Sequence, residues 1–206
     1  MSSSNAFENA LAYAARLHAG QMRKGSDTPY ISHLLAVTAI ALDHGATENE
    51  AIAALLHDAV EDQGGQKTLE EIRRQFGNQV AEIIAACSDT DELPKPPWRE
   101  RKEAFVERLR TEPYSVRLVV AADKLHNVRD VLRNFRIHGD DLWLQFKGGR
   151  DGTIWYYRAV VGALSEAATP EEQQLNALIE EISDTLSLLE EALADRSMQI
   201  RPAELA

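Results

Sequence analysis

Pro113-Tyr114-Ser115-Val116-Arg117-Leu118-Val119-Val120-Ala121-Ala122-Asp123-Lys124-Leu125 is the stretch on which the fold turns. Its centre, Val116 to Val120, is a short apolar run that periodicity alone assigns equally well to a buried strand or a buried helix. The continuation decides between them: Ala121, Ala122, Lys124 and Leu125 carry the run well past the usual length of a strand. A long helix from Pro113 to about Leu132 is therefore expected, and with it an all-α fold.

The flanking chain supports that reading, because Ala, Leu and Glu recur with a 3.6-residue period broken by Gly and Pro. Phe7, Leu11, Ala14 and His18 fall on one face of a first helix that Gly20 ends, and a polar, basic loop runs from Gln21 to Pro29. A second helix follows Tyr30, with Leu34, Val37, Ala41 and Leu42 inward, and stops at Gly45. Thr47-Glu48-Asn49-Glu50 fits a capping box opening a third helix to Val60, and Thr68-Leu69-Glu70-Glu71 fits a second one opening a helix to Phe76. Val80 to Cys87 is helical, Leu93 to Pro97 is a proline-stiffened loop, and Trp98 to Arg110 is a charged surface helix. Further helices are expected around Asp140 to Phe146 and Thr153 to Leu164, separated by Gly148-Gly149. From Pro170 a last helix carries Leu175, Ile179, Ile182, Leu186, Leu189 and Leu193 in alternating steps of four and three. That seam suits a closing helix over 170–194, packed on one domain spanning 1–206, with a homodimer contact as the other use of the same face.

Composition narrows the function. Twenty-two basic against 33 acidic side chains give a net charge of −11, which disfavours general nucleic-acid binding and anionic membrane surfaces. A small anionic substrate is compatible with that charge only where a metal ion or focused basic residues supply a local cationic site. No apolar run approaches a membrane span, and Met1-Ser2-Ser3-Ser4-Asn5 lacks the start of a secretory signal, so a cytoplasmic protein is expected. The one cysteine, Cys87, allows no internal disulfide and fits a small buried hydrophobe.

The chemistry gathers in Ala54-Leu55-Leu56-His57-Asp58-Ala59-Val60-Glu61-Asp62. On a continuous helix, His57 lies one turn from Glu61 and Asp58 one turn from Asp62, which presents an imidazole and three carboxylates to one region. Such a cluster repels itself unless a cation or protons neutralise it. Two residues elsewhere extend the set: His33 opens an amphipathic helix, and Asp123 interrupts an apolar run where an unpaired aspartate is costly to bury. Two imidazoles with two carboxylates make a mixed N/O donor set suited to Mn²⁺, Fe²⁺ or Zn²⁺.

The order His33, His57-Asp58, Asp123 resembles the H…HD…D signature of HD-domain metal-dependent phosphohydrolases. Four stretches narrow the resemblance: His18-Ala19-Gly20-Gln21-Met22-Arg23-Lys24-Gly25, Pro29-Tyr30-Ile31-Ser32-His33, His57-Asp58-Ala59-Val60-Glu61-Asp62, and Ala122-Asp123-Lys124-Leu125-His126-Asn127-Val128-Arg129-Asp130. Together they look like the alarmone hydrolase branch, which comprises the hydrolase domain of RelA/SpoT proteins and small stand-alone enzymes including the metazoan SpoT homologue. The resemblance covers about Ala6 to Leu164.

It implies an all-helical domain of about ten helices that holds one Mn²⁺ and removes the 3′ pyrophosphate from ppGpp or pppGpp, a small anionic nucleotide. By the same resemblance His33, His57, Asp58 and Asp123 are the metal ligands, and Glu61 and Asp62 are the catalytic acidic pair. Arg23 and Lys24 match a basic pair bordering the nucleotide, and Asn127 a nucleotide-contacting position. Lys95, Arg101 and Lys102 are candidates to reach the diphosphate, and Tyr156 and Tyr157 to line a base pocket, against the alternatives of plain solvation and core packing. The chain departs from the pattern at Gln63-Gly64-Gly65, where relatives tend to have threonine after the acidic pair, and over Phe135 to Lys147. Two other functions remain compatible: an HD phosphohydrolase acting on (p)ppApp or a 5′ nucleotide, and a noncatalytic nucleotide sensor. The acidic pair argues against the sensor, since binding alone does not require it.

Overall fold

The computed structural model describes residues 5–90 and 94–200, with side chains described to residue 196; Asp91, Glu92 and Leu93 of the expected loop lie outside the described residues. The helices are α1 (Ala6–Leu17), α2 (Ile31–Asp43), α3 (Glu48–Leu56), α4 (Ala59–Asp62), α5 (Gln66–Phe76), α6 (Asn78–Cys87), α7 (Trp98–Leu109), α8 (Tyr114–His138), α9 (Gly149–Ala167) and α10 (Gln173–Ile200), with a 3₁₀ segment over Gly139–Gln145. Among the described residues the only β pairing is an isolated bridge between Met22 and Pro29. The stretch from Pro113 is helical as expected, and α8 runs on to His138 before Gly139 stops it. It is the central helix, packed against α2, α3, α6 and α10, while α1 lies on α3, α5 on α6, and α7 on α9.

Burial explains the arrangement. Leu118, Val119, Ala121, Ala122 and Leu125 of α8 are fully buried together with Leu34 of α2 and Ile52, Leu55 and Leu56 of α3. Each fully buried aliphatic side chain contributes about 1.5–3 kcal/mol relative to exposure. Arg117, inside that apolar run, is buried too and is satisfied by a bidentate pair with Glu172 at 2.9 and 2.6 Å. The α10 seam is spent within the chain, since Leu175, Leu178, Ile179, Ile182, Leu186 and Leu189 are all buried.

Several expectations need correction. The buried face of α1 is Ala10, Tyr13 and Ala14, with Leu11 38% exposed, and Leu42 of α2 is 47% exposed. The expected helix from Thr47 to Val60 is broken: α3 ends at Leu56, His57 and Asp58 form a turn, and α4 restarts at Ala59. Thr47 does cap α3, with the reciprocal Glu50 contacts in place. Thr68 caps nothing. Gly65, at φ 62°, precedes an α5 that begins at Gln66, so Thr68 sits inside the helix and its hydroxyl donates to the Gln63 carbonyl at 2.7 Å. The segment near Asp140 is 3₁₀ rather than α, and α10 starts three residues after Pro170, which lies in the preceding turn. In α7, Arg101 is not a surface residue: it is buried against Asp89. No helix among the described residues is long and apolar enough to cross a membrane.

Candidate functional site

Three segments far apart in sequence meet at one point. His33 stands in the first turn of α2, His57 and Asp58 form the break between α3 and α4, and Asp123 lies midway along α8. The break aims the pair: the His57 ring turns back to donate from Nδ1 to the Ala54 carbonyl at 2.8 Å, which leaves Nε2 as the lone-pair nitrogen. One donor atom from each of His33, His57 and Asp58 falls within a mutual 4.8 Å. Asp123 Oδ1 completes the set at 3.3 Å from His33 Nε2 and 3.5 Å from His57 Nε2, and Asp58 Oδ2 lies 3.4 and 3.1 Å from the same two nitrogens.

This set fits a divalent ion. His57 Nε2 is fully buried and faces the Asp58 and Asp123 carboxylates without a well-formed hydrogen bond to either, an arrangement that an ion shared by all three groups would satisfy. Two imidazole nitrogens and two carboxylate oxygens suit a borderline cation. The electrostatics agree in direction. Burial pushes the Asp58 carboxyl up, but the imidazoles of His57 and His33 more than offset it and hold the group well below the usual range. Burial likewise acts on Asp123 and is outweighed by Lys124, then by His33 and His57. For His57, burial opposes the charged form, yet the two carboxylates raise its pKa well above the ordinary imidazole value. The cluster therefore attracts positive charge.

Neighbouring side chains orient these groups. The Tyr30 hydroxyl donates to Asp58 Oδ2 at 2.6 Å, His126 Nδ1 meets His33 Nδ1 at 2.8 Å, and Lys124 and the Asn127 amide both donate to Asp123. Desolvation, with the neighbouring His33 and Arg23 charges, brings the His126 pKa down to about 4, so its ring is neutral near pH 7.

Tyr30, Lys124, His126 and Asn127, which contact the cluster on one side, also line a cavity of about 880 Å³. That is the size of a small-molecule site. Five cationic residues line it, Arg23, Lys24, Lys102, Lys124 and Arg133, against the one acid Asp130. This is the focused positive charge that an acidic protein needs for an anionic ligand. Arg23 donates to Asn127 Oδ1 at 3.2 Å and to Asp130 Oδ2 at 3.0 Å, and Lys24 donates to the Gln145 carbonyl. Aromatic faces complete the wall. Trp98 packs so closely on α9 that a Cβ at Gly148 would come within 2.6 Å of its indole, and Tyr156 and Tyr157 are buried beside it.

The remaining candidates separate. Glu61 lines a small enclosed space of about 50 Å³ shared with His57, Asp58, Asp123 and Lys124, and accepts from Lys95 at 2.8 Å. Asp62 lies outside that space and accepts from Gln21 at 2.7 Å; partial burial and the Asp58 charge push its pKa up, against the Gln21 hydrogen bond. Of the three basic residues after the acidic loop, Lys102 alone lines the large cavity, while pairing with Asp89 Oδ2 at 3.0 Å; Arg101 is tied to Asp89 as well and Lys95 to Glu61. Sequence reading left Tyr30, Lys124 and Trp98 without roles. Lys124, next to Asp123, carried the one local signal.

A buried two-histidine, two-carboxylate cluster at the meeting of α2, α3 and α8 defines a class, and residues 10–154 match the HD domain family. The chain belongs to that family. It is similar to the protein named guanosine-3′,5′-bis(diphosphate) 3′-pyrophosphohydrolase MESH1 from Xenopus tropicalis, 41% identical over 124 residues, and to that from Homo sapiens, 42% identical over 125 residues. In both, the match covers 59% of this chain and 66% of the relative. The Haemophilus influenzae protein with the same enzyme name is 38% identical over 118 residues, which are 16% of its length. A solved structure described as a metazoan ortholog of SpoT that hydrolyzes ppGpp and plays a role in starvation responses superposes with a TM-score of 0.68 at 28% identity, covering 88% of this chain and 97% of that one. The Listeria monocytogenes EGD-e protein lmo0812 superposes at 0.64, 30% identical, covering 75% and 99%.

Proposed function

We propose that this protein is a metal-dependent alarmone hydrolase that releases the 3′ pyrophosphate of (p)ppGpp to give GDP or GTP. One observation carries the proposal. A cationic, nucleotide-sized cavity is lined by Tyr30, His126 and Asn127, the residues that hydrogen-bond three of the four cluster members. A phosphate held against those three side chains is one residue away from the cluster. The names of the relatives supply the substrate class.

In this reading His33, His57, Asp58 and Asp123 hold one Mn²⁺. When bound, the ion supplies positive charge beside the attacked phosphorus and lowers the pKa of water next to it. The chain does the rest. Lys102 and Lys124 offset diphosphate charge as compact point cations, and the Arg23 plane is suited to stack on a purine while Lys24 meets phosphate. Asn127 both donates and accepts, and so suits a sugar or phosphate oxygen. Water oxygen adds to the phosphorus, the bond from phosphorus to the 3′ oxygen breaks, and that oxygen takes up a proton. In this reading Glu61, which faces the enclosed space, would take the proton from water, and Asp62, whose raised pKa favours holding a proton, would return one to the leaving oxygen.

The test is product analysis. Purified protein with Mn²⁺ is incubated with ppGpp, ppApp and common nucleoside triphosphates, and the products are separated by ion-exchange chromatography. GDP and pyrophosphate from ppGpp are expected. Release of phosphate or triphosphate from ordinary nucleotides, with ppGpp left intact, would replace this reading with another nucleotide phosphohydrolase.

A further inference from the structure

Asp62 is gripped by a hydrogen-bond chain that the mechanism above leaves unused. Gln21, just beyond α1, has its amide fixed from both sides. Its Oε1 accepts from His18 Nδ1 at 2.7 Å and from Gln63 Nε2 at 2.6 Å, and its Nε2 donates to Asp62 Oδ2 at 2.7 Å. His18 is itself immobilised. It is 2% exposed and stacks on the Tyr30 ring at 5.4 Å and 17°, and the Tyr30 hydroxyl donates to Asp58. The contacts thus close a ring: Asp58, Tyr30, His18, Gln21, Asp62, and back through the four-residue α4.

We propose that Gln21 is a positioning residue which fixes the Asp62 carboxylate for proton transfer, and that His18 and Gln63 lock the direction of its amide. An amide can flip by 180° at little steric cost, exchanging donor and acceptor. Here a flip sets its oxygen against the Asp62 carboxylate, which only accepts, and requires His18 to change tautomer and the Gln63 amide to turn as well. Without a fixed donor, a carboxylate at the exposed end of a single helical turn samples several rotamers. Geometric precision in proton transfer depends on such outer contacts. The inference rests on the hydrolase reading, since it assigns Asp62 a part in the reaction.

The experiment uses two near-isosteres. Gln21→Glu keeps the shape and the oxygen that meets His18 and Gln63 but sets a second carboxylate against Asp62 in place of the donor; Gln21→Met removes the donor without adding charge and keeps only the volume. On ppGpp with Mn²⁺, both are expected to lower kcat by about tenfold or more, with KM and calorimetric Mn²⁺ affinity within about twofold of the parent. In an Asp62→Asn background, Gln21→Glu is expected to cost less than about twofold further, because the pair acts as one unit. Parental kcat in Gln21→Glu, a loss confined to KM or to Mn²⁺ affinity, or losses that simply multiply would each overturn the proposal. If the parent protein fails to hydrolyse ppGpp, the hydrolase reading falls, and the contact is judged by NMR. The Gln21 side-chain amide resonances are expected to move in Asp62→Asn, and unmoved resonances overturn the inference.

Discussion

Asp58 joins both imidazoles of the cluster to Tyr30. It accepts from Tyr30 and lies within 3.4 Å of both imidazole Nε2 atoms. Asp58→Ala removes an anionic donor from a set of four and leaves two buried imidazole nitrogens facing a gap. Mn²⁺ affinity is expected to fall by more than about 100-fold, beyond what outer contacts contribute, and turnover to background. Glu61→Gln and Asp62→Asn are expected to behave oppositely, slowing turnover by about 10²–10⁴-fold while Mn²⁺ affinity stays near the parent's. Isothermal titration beside steady-state kinetics separates the two classes; unchanged Mn²⁺ affinity in Asp58→Ala, or lost affinity in Glu61→Gln, reverses the assignment. At this scale the sequence was legible because His33, His57-Asp58 and Asp123 each sit in a short motif of unusual chemistry. Tyr30 was not, because its partner lies 28 residues away and no local pattern announces the contact.

The α3–α4 break shows where element-level reading stops. The apolar period runs through Leu55, Leu56, Ala59 and Val60 without interruption, so periodicity predicts one helix, whereas the His57 ring competes for the Ala54 carbonyl just where the helix is interrupted. Thr68 misled for a related reason: a Thr-x-x-Glu pattern is satisfied by many helix interiors, and the Gly64-Gly65 turn had already fixed the start of α5. Thr47 was read correctly. Its N–H and hydroxyl both donate to Glu50, at 2.7 and 2.8 Å, and Glu50 accepts in turn from Ser115 of α8 at 2.6 Å. The cap therefore joins the helix leading to His57-Asp58 to the helix bearing Asp123. Thr47→Ala is expected to cost about 1 kcal/mol, read by urea unfolding, and Thr47→Ser to recover most of it. Equal losses in both variants would show that the methyl group, not the hydroxyl, carries the effect.

Across the whole molecule, a chain of net charge −11 surrounds a cavity lined by five cations and one acid, beside a cluster that itself attracts a cation. The far wall of that cavity, from Leu142 to Thr153, was the part least legible in the sequence, whereas Tyr156 and Tyr157, read as candidates for a base pocket, do line the cavity. That wall is assembled from a 3₁₀ segment and a helix start whose residues show no pattern until α8 and α9 bring them opposite Arg23 and Asn127. The cluster has a consequence for stability as well as chemistry. Its donors come from α2, the α3–α4 turn and α8, so one ion bound by all four would tie together helices that unfolding must separate. The unfolded chain keeps only His57 and Asp58 adjacent and binds weakly, so mass action favours the folded state by about 2.7 kcal/mol when free Mn²⁺ is 100 times the dissociation constant. For a domain of this size each kcal/mol raises Tm by about 2–4 °C. Mn²⁺ is therefore expected to raise Tm by about 5–10 °C, a gain that EDTA reverses and that Asp58→Ala lacks. Scanning calorimetry checks it without reference to turnover, and a gain in Asp58→Ala equal to the parent's would place the ion elsewhere.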